Sequence, residues 1–309
     1  MFAVAAGGIL VDLSRTDGRD RSAAFTPISP IGRMDTPATE VVDERPSSTR
    51  WRGRVVEYFY PGKESLGVSG YDSTVTFYST LDRLCPDDAV LLDYGAGRGE
   101  GFDLSDGGNA HGPHHALHWL SRAGRVGRRI GCDVDPVVKE NPVLDEAHLL
   151  DPDNDYRIPL DNDSCDLVCA DWVVEHLPDP AFTFAEVHRV LKPGGYFGLR
   201  TSNWYHYAYL AAWLLSDSKA EEAVLSVAQK DRQQRDVFPK LYRANTRRSL
   251  RRELRRGGFD SVTAYTLDPE SAYMNFSAPT AILGGVYHRL ASGGLLPRAV
   301  LLGFARKSS

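Results

Sequence analysis

The sequence has few cysteines and no long apolar run. Its four cysteines among 309 residues, Cys85, Cys132, Cys165 and Cys169, show no metal-binding spacing, so we expect reduced thiols in a cytoplasmic protein. No apolar run reaches the ~18 to 20 residues that a membrane-spanning helix needs. Residues 1–13 are apolar but carry no basic leader, and we expect no signal peptide there.

The charge balance is mildly acidic, and the opening segment is poor in apolar residues. A net charge of −5 argues against a general nucleic-acid binder, and 42% hydrophobic residues are typical of a globular protein. Residues 14–48 are rich in Asp, Arg, Ser, Thr and Pro and have little periodicity. We therefore predict a flexible N-terminal extension over residues 1–48 and one domain over residues 49–309.

A glycine-rich stretch organises the chain. The short apolar run Val90-Leu91-Leu92 is typical of a buried strand, and it is followed by Asp93 and by three alternating glycines, Gly95, Gly97 and Gly99. Glycine tolerates positive φ and allows close approach to the backbone, so the stretch indicates a loop around a ligand at a strand end. A dinucleotide fingerprint would require glycine where Glu100 stands. Asp93 would repel a pyrophosphate and attract a cationic ligand.

Strands and helices alternate along the rest of the chain. This alternation predicts an α/β fold of the Rossmann-like, doubly wound type, with a mainly parallel seven-stranded sheet, an antiparallel edge strand and a helical lid insertion over residues 203–240. We predict a helix over 75–84, capped helices from 180 and from Asn245, and an irregular excursion over 268–297. The expected strands after the glycine loop cover residues 129–136, 147–150, 165–172, 196–201, 261–267 and 299–305.

Acidic residues end the second predicted strand. A carboxylate there is placed to accept both hydroxyl groups of a ribose, and Asp133 fits better than Asp135. Upstream, His114 and His118 are four residues apart and could share one helical face as metal ligands. No third ligand at fixed spacing accompanies them, so we expect no metal site.

Four ordered motifs together resemble the class I S-adenosylmethionine-dependent methyltransferases, especially the ubiquinone and menaquinone biosynthesis branch. They extend from about Val90 to Thr201. They are Asp93-Tyr-Gly95-Ala-Gly97-Arg-Gly99, Gly131-Cys-Asp133, Ile158-Pro-Leu-Asp-Asn-Asp-Ser-Cys-Asp166, and Glu175-His176-Leu177 with Arg189-Val-Leu-Lys-Pro-Gly-Gly195. The match departs from the family in the long connection after the glycine loop.

The resemblance implies a role for each motif. The glycine loop would contact the methionine part of S-adenosylmethionine, and Asp133, with Val134 beside it, would bind the ribose hydroxyls. The adenine would lie against Asn154 and Asp155, in a segment that also holds Asp151 and Asp153, and the sulfonium end against Ala170 and Asp171. In some relatives a Glu-x-x-Glu-His pattern holds a metal. Here Trp172 replaces the first Glu, which argues against metal dependence.

Methyl transfer to a hydroxyl group would require a base. His176 and His206 follow predicted strands at the edge that faces the crevice, and histidine is the usual base. Each also has a structural interpretation: His176 as a buttress of its helix, and His206 as part of a hydrophobic cover with Trp204, Tyr205 and Tyr207.

The acceptor side of the sequence is less specific. Residues 203–240 commonly correspond to a cover over the acceptor pocket in this fold. Residues 240–256 hold eight basic residues against one acid, Glu253. These basic residues predict either a solvated helical face or a surface that attracts an anionic acceptor. Because no aromatic residues are interleaved with them, RNA is not the expected acceptor.

We expect an enzyme that transfers a methyl group from S-adenosylmethionine, more readily to oxygen than to carbon or nitrogen, on a small-molecule or carrier-linked metabolite. A nicotinamide-dependent oxidoreductase and a non-catalytic cofactor-binding subunit are the alternatives. The sequence leaves the acceptor and the oligomeric state open.

Overall fold

The computed structural model describes residues 47–62, 69, 71–99, 125–207, 239–267 and 277–308. The helices are α1 (Ser47–Phe59), α2 (Ser73–Leu84), α3 (Pro180–Val190), α4 (Arg247–Arg256) and α5 (Ala278–Ser292). The strands are β1 (Ala89–Tyr94), β2 (Val126–Asp133), β3 (Glu146–Leu149), β4 (Cys165–Asp171), β5 (Leu191–Ser202), β6 (Ser261–Leu267) and β7 (Val300–Arg306). The predicted N-terminal extension, up to residue 46, and the predicted insertion, over residues 208–238, lie outside the described residues.

The seven strands form one mixed sheet in the order β3-β2-β1-β4-β5-β7-β6. The pairs from β3 to β5 are parallel, and β7 runs antiparallel to both β5 and β6. The prediction of a mainly parallel seven-stranded sheet with antiparallel pairing at one edge is therefore confirmed. Since β1, β2 and β4 are parallel neighbours, the residues that follow them meet at one edge of the sheet.

Helices cover both faces of the sheet, because successive strand residues point to opposite sides. Leu92 joins the apolar cluster that contains Phe184 of α3 and Leu250 of α4. Leu91 joins the other cluster, with Phe77 and other residues of α2. Burial on both faces explains why the parallel strands are apolar runs without polar alternation.

Local capping chemistry sets the helix starts. Asp179 accepts a hydrogen bond from the backbone N–H of Phe182 at 3.1 Å, and Pro180 occupies the first turn, as the sequence predicts. The prediction that Asn245 caps α4 is wrong, because Thr246 caps it and accepts from Ser249 N at 3.1 Å. Asn245 is instead buried behind the end of β5.

The prediction of an irregular excursion over residues 268–297 is also wrong, because α5 lies within it. Ser277 caps this helix, and α5 packs against α1. The packing is close: a Cβ on Gly285 would lie 2.2 Å from the Phe59 ring. The connection from β6 to β7 therefore adds a helical layer to the fold.

Candidate cofactor and acceptor site

The glycine loop follows β1 in a left-handed conformation. The φ angles of Gly95, Gly97 and Gly99 are +83°, +52° and +71°, which confirms the predicted turn. A Cβ on Gly95 would lie 2.3 Å from Cγ2 of Val173, and one on Gly99 would lie 2.4 Å from Oδ1 of Asn141. Among the described residues, a Cβ on Gly97 would meet no atom within 4 Å. Within this part of the chain, the loop is thus packed at its two ends and open at its centre.

Asp133 lies directly against this open centre. Its Oδ2 accepts a hydrogen bond from Gly97 N at 2.8 Å, and its Oδ1 accepts one from Asp135 N at 2.9 Å. Burial raises the pKa of Asp133, although these backbone donors favour the ionised form. Each carboxylate oxygen has a second lone pair, so Asp133 keeps acceptor capacity for a ligand hydroxyl. The adjacent Val134 is 43% exposed.

Asp93 lies at the end of β1, next to the β4 residue Cys169, whose thiol donates to Oδ1 at 3.5 Å. Burial raises the pKa of Asp93 to about 7; the Cys169 bond opposes this shift, and the nearby acids Asp171 and Asp133 add to it. A carboxyl group with this pKa is only partly ionised at neutral pH. A cation beside it would favour the ionised form.

Asp171, the last residue of β4, is held in an ion pair. Arg200, its register partner on β5, donates from Nε to Oδ1 and from Nη2 to Oδ2, both at 2.6 Å. Tyr78 also donates to Oδ2 at 2.5 Å, and Arg200 donates to Thr74 Oγ1 at 2.5 Å. The charge of Asp171 is therefore matched by Arg200, which reduces the Coulomb attraction that Asp171 could offer a cation. Ala170, before it, is buried.

The predicted adenine segment begins beside β2. Leu150 N donates to Asp133 O at 2.8 Å, and the chain then forms a single 3-10 turn over Pro152–Asn154. Asp151 caps this turn by accepting from Asp153 N at 2.9 Å. Asn154 and Asp155 are exposed, with Asp155 at φ +50°. Their role toward adenine stays a prediction.

The two candidate bases lie in different surroundings. The Nδ1 of His176 donates to the backbone oxygen of Pro239 at 2.9 Å. His206 is buried, and its ring centroid lies 4.3 Å from that of Tyr207 and 5.3 Å from that of Tyr287 on α5. Both rings thus have structural contacts, and the choice of base stays a prediction.

The sequence does not indicate the buried polar network around Glu175, the residue that precedes His176. Thr201 donates to Oε2 of Glu175 at 2.6 Å, and Nδ2 of Asn245 donates to Thr201 Oγ1 at 2.7 Å. The backbone oxygen of Glu175 accepts from Leu241 and Tyr242 at 2.7 and 3.1 Å. Burial raises the pKa of Glu175. The network fixes the segment that leads into α4 against the ends of β4 and β5.

Leu250 and Leu254 of α4 are buried, as predicted, and five of its six arginines are exposed. Arg251 is half-buried and donates to the backbone oxygen of Ala264 on β6 at 3.4 Å. Glu253 is also buried and pairs with Arg252 and Arg256. Within the described ranges, no group of three or more His, Cys, Asp and Glu could hold a metal, and His114 and His118 fall outside those ranges. No helix among the described residues is long and apolar enough to cross a membrane.

Known proteins match parts of this chain. Residues 110–199 match the family model described as a methyltransferase domain. The matched region begins after the glycine loop and includes Asp133, β4 and most of β5. The match shows that this region of the chain is similar to methyltransferase domains.

One curated relative is an uncharacterized 37.1 kDa protein in transposon TN4556 of Streptomyces fradiae, which is 29% identical over 180 residues. The match covers 55% of this chain and 48% of the relative, so the chain spans about half of that protein's length.

Two solved structures are similar to this chain over most of its length. A chain from the Haloferax volcanii complex between the Trm112 methyltransferase activator and a methyltransferase is 18% identical, with a TM-score of 0.49 and coverage of 84% of this chain and 96% of that one. An S-adenosylmethionine-dependent methyltransferase from Mesorhizobium loti is 17% identical, with a TM-score of 0.45 and coverage of 76% and 98%. At this level of similarity they do not identify an acceptor or a partner.

Proposed function

We propose that this chain transfers a methyl group from S-adenosylmethionine to an oxygen atom of a small-molecule or carrier-linked metabolite. One observation carries the proposal: the Asp133 carboxylate is hydrogen-bonded to the open centre of the glycine loop, where Asp93 adds a second acid without a basic partner among the described residues. Such a crevice suits a ligand that combines a ribose with a positive charge. A pyrophosphate would be repelled there.

The residues at the sheet edge fit the parts of that nucleoside. In the proposed arrangement, Gly95, Gly97 and Gly99 hold the methionine part and Asp133 the ribose hydroxyls. Asn154 and Asp155 contact the adenine, and Ala170 and Asp171 border the sulfonium. The open space at Gly97 among the described residues supports this fit, since it leaves room for a ligand next to the backbone that contacts Asp133.

When bound, the cofactor supplies an activated methyl group on a good leaving group, so the protein's main task is alignment. Orientation of two reactants in a dry site contributes about 7–11 kcal/mol. The Arg200–Asp171 pair supports this task by fixing the ends of β4 and β5 relative to α2 through Tyr78 and Thr74.

A hydroxyl acceptor must also lose a proton. His176 is favoured over His206 as the base, because its Nδ1 donates to Pro239 and a neutral imidazole then has its basic lone pair on Nε2. His206 remains the second candidate. An anionic acceptor is compatible with the arginines of α4.

Calorimetric titration with S-adenosylhomocysteine and with NADH tests the cofactor assignment. We expect S-adenosylhomocysteine to bind, NADH not to bind, and Asp133→Ala to weaken nucleoside binding at least tenfold. Binding of NADH alone would instead identify a nicotinamide-dependent oxidoreductase.

Incubation with radiolabelled S-adenosylmethionine and a panel of hydroxylated acceptors then tests the transfer. We expect label in at least one acceptor and its loss in His176→Ala, with His206→Ala as the comparison. Cofactor binding without transfer to any acceptor in a broad panel would contradict the enzymatic role and favour a non-catalytic subunit.

A further inference from the structure

Trp172 has an unusual backbone conformation at the edge of the candidate site. It directly follows Asp171, and its φ angle is +59°, in the left-handed region that a bulky L residue rarely adopts. Its N–H donates to the backbone oxygen of Arg200 at 2.8 Å, which holds this conformation in place. Residues that are kept in such conformations cluster at functional sites. The indole of Trp172 is therefore a candidate for contact with a ligand.

The neighbours of Trp172 connect it to the cofactor crevice. The next residue, Val173, lies against the glycine loop so closely that a Cβ on Gly95 would be 2.3 Å from its Cγ2. The preceding residue, Asp171, is the acid proposed to border the sulfonium. Trp172 therefore lies between a residue that contacts the loop and a residue at the proposed reacting end.

The indole is only half-buried, and one charged group already adjoins it. The guanidinium carbon of Arg200 lies 5.3 Å from the ring centroid. Arg200 is paired at two atoms with Asp171, so the ion pair beside the indole carries no net charge. A further cation near the ring would meet the electron-rich indole without a strong opposing positive charge.

We propose that Trp172 contacts the sulfonium of S-adenosylmethionine through a cation–π interaction and thereby distinguishes the charged methyl donor from its neutral product. This inference depends on the proposed function. Tryptophan is the best aromatic partner for a cation, and the product lacks the positive charge that the interaction requires. Trp172 would thus favour binding of the donor and release of the product.

Calorimetric titration of S-adenosylmethionine and S-adenosylhomocysteine into Trp172→Leu and Trp172→Phe tests the inference. Leucine and phenylalanine experience the same left-handed backbone, so the variants differ in aromaticity more than in strain. We expect Trp172→Leu to lose roughly three- to thirtyfold in affinity for S-adenosylmethionine and less than about twofold for S-adenosylhomocysteine. Trp172→Phe should lie between the wild type and Trp172→Leu.

The control is Trp51→Leu, which removes a tryptophan that is 64% exposed on α1 and should change neither affinity. Equal losses for both nucleosides in Trp172→Leu, or no loss for either, would overturn the role of Trp172 while leaving the proposed function intact. If the wild type binds neither nucleoside, the proposed function itself fails.

Discussion

The carboxylates on the two sides of the crevice differ in their countercharge. Asp171, on the β4 and β5 side, is paired with Arg200 at two atoms. Asp93 and Asp133, on the β1 and β2 side, have no basic partner among the described residues, and burial raises both of their pKa values. The paired acid is suited to hold strands together, whereas the unpaired acids are suited to meet a charge or a hydroxyl group that arrives with a ligand.

Removal of the countercharge should have the largest effect. In Arg200→Met, Asp171 stays buried without its partner, and we expect the free energy of unfolding to fall by about 3–5 kcal/mol in urea denaturation. The double variant Arg200→Met, Asp171→Asn should regain a large part of this loss, because no buried charge remains. A loss below about 1 kcal/mol in the single variant would show that the pair is not structural.

Alanine substitutions at two glycines of the loop separate the role of packing from the role of ligand access. Gly95→Ala places a Cβ against Val173 at positive φ, and we expect a loss of about 2–4 kcal/mol in the free energy of unfolding. For Gly97→Ala we expect a loss of only about 1–2 kcal/mol, because the new Cβ contacts no described atom and the loss comes from the left-handed backbone alone.

Nucleoside binding should show a different pattern for Gly97→Ala. Calorimetry on the folded variant should find binding strongly weakened, because its new methyl group extends into the open space at the centre of the loop, where we propose that the nucleoside binds. Unchanged binding in Gly97→Ala would mean that the ligand does not approach the centre of the loop.

The unpaired acid Asp93 should make cofactor affinity depend on pH. Its pKa of about 7 lies above the ordinary value of 3.8, so the carboxyl is mostly protonated at pH 6 and mostly ionised at pH 8. A sulfonium favours the ionised form, and affinity for S-adenosylmethionine should therefore rise with pH, by at most about tenfold per unit below pH 7.

Asp93→Asn is the control for this pH dependence, because it removes the titrating carboxyl and should give a much flatter calorimetric profile. A wild-type affinity that stays constant or falls from pH 6 to pH 8 would contradict the role of Asp93.

The smallest effect is expected for an arginine outside the crevice. Arg255 on α4 is exposed, in contrast to the buried Arg200, so Arg255→Gln should change the free energy of unfolding by less than about 0.5 kcal/mol. If Arg255→Gln lowered the free energy of unfolding as much as Arg200→Met, burial of the arginine would not explain why Arg200 matters for stability.

The first half of the described fold could be predicted from the sequence because its signals are local. Apolar runs that end in Asp93 and in Asp133 mark strands buried on both faces, and Asp179-Pro180 marks a helix start. The helix α5 was missed, because Gly284 and Gly285 lower helix propensity. Gly285 is required by the ring of Phe59, more than 200 positions earlier in the chain, although Ser277 and Pro279 were a capping signal that local analysis could have found.

The pairing of site residues depends on the register between neighbouring strands, which cannot be read from the sequence. Asp171 and Arg200 are opposite one another on parallel strands, so the carboxylate that the resemblance places beside the sulfonium is neutralised by an ion pair. An arginine inside an otherwise apolar strand was the available signal for a buried partner. The contact of Trp172 with the guanidinium likewise appears only after β4 and β5 pair.

A crystal structure of the complex with S-adenosylhomocysteine tests the central claim most directly. We expect both ribose hydroxyls within hydrogen-bond distance of the Asp133 carboxylate and the amino-acid part of the nucleoside against the backbone at Gly97. A nucleoside bound elsewhere, with Asp133 still contacting only Gly97 and Asp135, would contradict the account.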